Sequence, residues 1–147
     1  MEGSSRRLLD GAATYSGEGD HRHRRLRTDI RLAECILESR AEAEAAGLSA
    51  TVIGHVGDGN FHMMIPYDPA DEREHQKAEA VAEAVARRAL RLGGTCTGEH
   101  GIGLHRCGLL AEEHGPAVAL MREIKRSLDP RGIMNPGKMI ASDAPLP

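Results

Sequence analysis

Two histidines and a tight-turn signal sit within nine residues, Gly54-His55-Val56-Gly57-Asp58-Gly59-Asn60-Phe61-His62. Asp58-Gly59 predicts a two-residue type I′ turn, which needs φ > 0 at both central positions. In that register Gly57 pairs with Asn60, Val56 with Phe61, and His55 with His62. Directly opposed residues share a face with Cβ atoms about 4.5–5.5 Å apart. Two imidazoles so placed could share one metal ion, and neutral imidazole is the commonest metal ligand. The competing reading is a pair of structural histidines bonded to backbone or water at a sheet end. A second polar cluster, Gly98-Glu99-His100-Gly101-Ile102-Gly103, offers a carboxylate and a further imidazole among glycines. Glycines there suit a backbone brought close to a ligand. Two histidines and one carboxylate would leave open positions on a metal, as catalytic sites require. His100, without ligand duty, could then act as a general base. The Gly-Glu-His-Gly-Ile-Gly run is not the dinucleotide pattern GxGxxG. His75, His105 and His114 read as surface or capping residues, and Met63, Met64, Met121 and Met134 as core filler.

The elements that must position these residues are legible from periodicity. Arg31 to Ala46 is helical, with Leu32, Ile36 and Ala43 on one face and Gly47 as the stop. Thr51–Val56 reads as a strand and Phe61–Ile65 as its hairpin partner, ended by Pro66. Asp68-Pro69 opens a long helix whose apolar stripe is Ala78, Val81, Ala82, Val85, Ala89 and Leu92, with Gly93-Gly94 closing it. Thr95-Cys96-Thr97 is a short β-like segment leading into the glycine-rich loop. Leu109–Glu113 and Ala117–Leu128 are helical, and Asp129-Pro130 stops the second, since a residue before proline avoids the α region. Ile133–Lys138 is a turn-rich tail. The pattern implies an α+β fold, with helices on one face of an antiparallel sheet.

Composition sets limits. A chain of 147 residues with 40% hydrophobic and 28% charged residues suits one globular domain. Tyr15, Tyr67 and Phe61 are its only aromatics, so an aliphatic core is expected. A net charge of −3 gives no general attraction to nucleic acid or anionic membranes. No apolar run approaches the ~20 residues of a membrane span. Cys35, Cys96 and Cys107 lack CxxC spacing, which points to reduced thiols in a cytoplasmic compartment, or in the mitochondrial matrix of a eukaryote. Residues 1–27 carry Arg6, Arg7, Arg22, Arg24, Arg25 and Arg27 but also four acids, and read as a disordered or atypical leader. Residues 28–140 form the expected domain, and 141–147 a tail.

Three motifs in order, Gly54–His62 (GHVGDGNFH), Gly94–Gly103 (GTCTGEHGIG) and Asp129–Lys138 (DPRGIMNPGK), resemble the C-terminal domain of FAD-linked oxidases. The likeness is greatest to cytochrome-type D-lactate dehydrogenases, with glycolate oxidase subunits and D-2-hydroxyglutarate dehydrogenases as close relatives. The resemblance implies a ferredoxin-like cap domain that works beside a separate FAD-binding domain or subunit. It implies a divalent metal, Zn or Mn, held by His55, His62 and Glu99, and His100 as the base that takes the hydroxyl proton of a 2-hydroxy acid. Hydride would pass to FAD, with Asn135 near the flavin, and electrons onward to an acceptor such as cytochrome c or a quinone. Three departures accompany it. No FAD-binding domain is expected within these 147 residues, Arg106 stands where relatives commonly carry Lys, and an apolar strand that relatives usually place between Ile30 and Arg31 is not seen in the sequence, which would leave a sheet edge open. A non-catalytic metal-binding remnant and an interaction module are the rival readings.

Overall fold

The computed structural model describes residues 7–14 and 23–140. The chain divides into two compact units between Glu99 and His100. The first contains strand β1 (Arg7–Thr14), helix α1 (His23–Ala45), strands β2 (Thr51–Ile53) and β3 (Asn60–Tyr67), and helix α2 (Glu72–Arg91). The second contains α3 (Cys107–His114) and α4 (Ala117–Leu128). The sheet order is β1-β3-β2, with both flanking strands antiparallel to β3. This β-α-β-β-α sequence follows the ferredoxin-like arrangement up to its last strand. The fold is α+β, as the sequence pattern implies.

Helices cover one sheet face for a reason visible in β3. Its side chains alternate, so Phe61, Met63, Ile65 and Tyr67 share a face. All four are buried in one cluster with Leu32, Cys35 and Ala43 of α1 and Ala78, Val81, Val85 and Ala89 of α2. The stripe expected for the long helix is therefore the one that packs. Two of the three aromatics, Phe61 and Tyr67, lie in a core expected to be aliphatic. Phe61 is its largest fully buried side chain. The even-numbered residues of β3, His62 among them, belong to the opposite face.

α2 is capped by Asp71 rather than by Asp68, because the Asp71 carboxylate accepts the N–H groups of Arg73 and Glu74. Asp68 makes the preceding turn, its carboxylate accepting the N–H of Ala70. α1 and α2 are joined by Arg88, whose guanidinium donates to Glu38 at 3.0 Å, to the buried Ser39 hydroxyl at 2.9 Å, and to Glu42. Burial opposes the charge on Arg88, but the two carboxylates outweigh it and hold its pKa above the ordinary arginine value.

Three further expectations are corrected. Residues 7–14, part of the leader expected to be disordered or atypical, form β1, and α1 begins at His23. β1 pairs with β3 along its whole length, from Arg7 opposite Tyr67 to Thr14 opposite Asn60. β3 runs through Pro66 to Tyr67 instead of stopping at Ile65. Pro66 is tolerated because β2 reaches only as far as Met64, so beyond it β3 is bonded on one side. The third correction concerns the hairpin register and falls on the site itself. Among the described residues no helix is long and apolar enough to cross a membrane.

Candidate functional site

The connection from β2 to β3 is wider than a two-residue turn. β2 ends at Ile53, and Ile53, not His55, lies opposite His62. Residues Val56–Asp58 form a 3-10 turn closed by Gly59 at φ 73°. Asp58 does not take up the positive φ that a type I′ turn demands at its first central residue; among described non-glycine residues only Asn135 and Met139 do. The His55 carbonyl instead accepts the N–H groups of Asp58 (2.8 Å) and Asn60 (3.2 Å). Gly54 makes this path possible: a Cβ there would meet Asn60 O and Phe61 Cα at 2.5 Å. His55 is consequently an exposed residue at the head of the turn, not a cross-strand partner of His62.

His62 finds a different partner. Its Nε2 lies 3.1 Å from Oε1 of Glu99, with the imidazole buried and the carboxylate about half exposed. β3 fixes the imidazole through its pairing on both sides. Glu99 is held by the segment before it, where Cys96 is fully buried and Thr95 makes an isolated β-bridge. The Thr95 hydroxyl accepts the N–H of Thr97, and the Thr97 hydroxyl donates to the Gly98 carbonyl at 3.1 Å. Gly98 then turns left-handed at φ 54°.

The donor set suits a divalent cation. Two ligand atoms each bonded at about 2.0–2.2 Å to one tetrahedral ion sit roughly 3.3–3.6 Å apart, so the observed separation of 3.1 Å would need to widen by only a few tenths of an ångström, about 0.2–0.5 Å, to admit one. The same contact is a hydrogen bond when no ion is bound. His62 and Glu99 are among the metal-capable side chains whose donor atoms cluster; His55 is not.

His100 follows Glu99 directly and opens the second unit as an exposed residue. Gly101 (φ 79°) and Gly103 (φ 58°) carry the loop onward through left-handed positions. Asn135 lies in the same unit, exposed, at φ 47° and immediately before Pro136. The sequence reading missed Asp129, treated there only as a helix stop. Its carboxylate is buried and accepts from Lys125 Nζ and from the N–H groups of Ile133 (3.0 Å) and Met134 (2.9 Å). Its signal was present in the Asp-Pro-x-Gly spacing, which suits a side chain folding back on the turn after it.

Residues 30–139 match the family model described as FAD linked oxidases, C-terminal domain. The chain belongs to that family. Similar relatives are D-lactate dehydrogenases. A probable mitochondrial one of Danio rerio is 50% identical over 111 residues, 75% of this chain and 22% of the relative. A mitochondrial cytochrome-type enzyme of Arabidopsis thaliana is 44% identical over 124 residues, 80% of this chain and 22% of the relative. One of Kluyveromyces lactis is 41% identical over 114 residues, 77% of this chain and 19% of the relative. The chain therefore spans about a fifth of the length of these relatives.

Proposed function

We propose that this chain is the part of an FAD-dependent 2-hydroxy acid dehydrogenase that holds and deprotonates the substrate, D-lactate or a similar 2-hydroxy acid on its way to the 2-oxo acid. The observation that carries the reading is the His62–Glu99 pair at 3.1 Å, which brings two of the three family motifs together. His62 and Glu99 would hold a divalent metal, Zn or Mn; His55, which lies outside their donor cluster, would join as third ligand only by a rearrangement of the 56–58 turn. Such an ion acidifies and orients a bound hydroxyl group. His100, exposed beside Glu99, would accept the hydroxyl proton at a ring nitrogen. FAD, bound by a domain or subunit in trans, would supply the hydride acceptor, with Asn135 facing it. The names of the relatives support a mitochondrial setting if the source is eukaryotic, and an onward acceptor such as cytochrome c.

Metal stoichiometry on the purified chain tests this first. About one divalent ion per chain, lost in both His62→Ala and Glu99→Gln, is the expected result. Unchanged metal content in both variants would sink the ligand assignment. The rival reading, a metal-binding module without turnover, differs in one outcome: metal binds, but a flavin-binding domain supplied in trans is not reduced by D-lactate.

A further inference from the structure

The segment 131–139 is exposed at every residue, so burial does not hold its shape. Its backbone is nevertheless unusual. Asn135 takes a left-handed conformation directly before a proline, and Met139 takes another at φ 62°. Residues before proline favour extended backbone, and non-glycine residues at positive φ need support. Polar contacts supply it. Asp129 Oδ1 accepts the Ile133 N–H, and Oδ2 accepts both the Met134 N–H and Lys125 Nζ. Lys125 Nζ also donates to the Met134 carbonyl at 2.6 Å. The two residues preceding Asn135 are thus gripped at Ile133 N, Met134 N and Met134 O. Beyond it, the Asn135 carbonyl accepts the Lys138 N–H at 3.2 Å, and the Met139 N–H donates to the Gly103 carbonyl at 2.7 Å. Gly103 lies three residues after His100 in the same unit.

We propose that Asp129 and Lys125 are positioning residues for Asn135: their clamp at the end of α4 sets its left-handed turn and, through Met139 and Gly103, ties that turn to the loop that follows His100. The functional weight of this device rests on the proposed reading, in which Asn135 faces flavin and His100 takes the substrate proton. Those two groups must keep a fixed separation if proton and hydride are to leave one substrate molecule. An exposed turn held only by its own torsions would not provide that. Lysine suits the task because one ammonium carries three donors, enough for a carboxylate and a carbonyl together.

Amide hydrogen exchange and the backbone H–N–Cα–H coupling constant of Asn135, measured by NMR on the full chain, test the clamp. Lys125→Met should speed exchange at Ile133 and Met134 by at least about tenfold and shift the Asn135 coupling away from its left-handed value. Lys125→Arg, whose guanidinium can also serve two acceptors, should restore both. Asp129→Asn should behave like Lys125→Met, because the amide loses the charge that draws the ammonium in. An Asn135 coupling that is unchanged in Lys125→Met and Asp129→Asn would overturn the proposal, as would failure of arginine to rescue. Amides of α2 serve as the internal reference for an intact fold. None of these readouts uses flavin or metal, so they decide the clamp separately from the flavin-facing role of Asn135.

Discussion

A histidine–carboxylate contact at 3.1 Å can be a hydrogen bond or two ligands of a metal site, and the two make opposite predictions for Glu99→Gln. A glutamine still offers the imidazole a partner, so a purely structural pair loses little. A metal ligand loses its charge, and removing even an outer-shell partner of such a site typically costs about 10–100-fold in affinity. We expect Glu99→Gln to lower divalent-metal affinity by more than that while leaving the thermal midpoint of the metal-free chain within a few degrees; isothermal titration and a melting curve read both. Asp129 gives a second prediction. The Lys125 ammonium, with the Met134 and Ile133 N–H groups, outweighs burial and holds its carboxyl below the ordinary aspartate value. A group with a depressed pKa stabilises the fold above its unfolded value of about 3.9, and that contribution is lost as pH falls through the folded value. The Ile133 and Met134 amide resonances should therefore be constant at neutral pH and move only in strong acid. In Asp129→Asn that step should vanish. Histidine and glutamate as ligand types were legible from the sequence, as was their membership in ordered motifs. The partnership of His62 with Glu99 rather than with His55 was not, because it depends on whether Asp58 accepts a positive φ, and it does not.

At the scale of elements, the long helix was the most readable part, since its buried stripe of Ala78, Val81, Val85 and Ala89 is a 3.6-residue period written in small and branched apolar residues. β1 was the least readable. Arg7–Thr14 has no clear alternation and contains Asp10 and Gly11, so its strand state comes from pairing with β3 rather than from its own pattern. Gly54 shows the same dependence on context. Glycine before a histidine looks like turn chemistry, yet its role is close approach to the β3 backbone. Gly54→Ala would press a Cβ against Asn60 O and Phe61 Cα, atoms of the central strand that cannot swing aside. We expect a cost of about 1–3 kcal/mol, read as a lower urea midpoint, together with weaker metal binding because His62 lies one residue beyond Phe61. Gly57→Ala, at a position open to solvent and without positive φ, is the control and should change neither. Between helices, Arg88→Met would remove the link to Glu38, Ser39 and Glu42. The carboxylates are partly exposed and rehydrate, so the loss should be about 1–2 kcal/mol, less than for a fully buried pair.

At the scale of the whole molecule, the two units are unequally provided with core. The first holds the continuous cluster around Phe61, Met63, Ile65 and Val85. In the second, the buried apolar residues among those described are Ile102, Leu109, Leu110, Val118 and Ile140. α4 illustrates the difference. Leu120, Ile124 and Leu128 recur at helical spacing, yet all three are more than half exposed, at 64%, 52% and 75%. Periodicity reports that a helix has an apolar side, but not whether the same chain covers it. A stripe of that kind contributes little until something removes it from water, at roughly 25 cal/mol per Å². The second unit should accordingly open with a smaller free energy than the first, as local units of a protein commonly do. Hydrogen exchange read by mass spectrometry gives the check: peptides from α3 and α4 should exchange well before those from α2 and β3 under identical conditions. Equal protection across all four elements would mean that the chain opens as one cooperative body, and that the exposed stripe of α4 carries no deficit of stability.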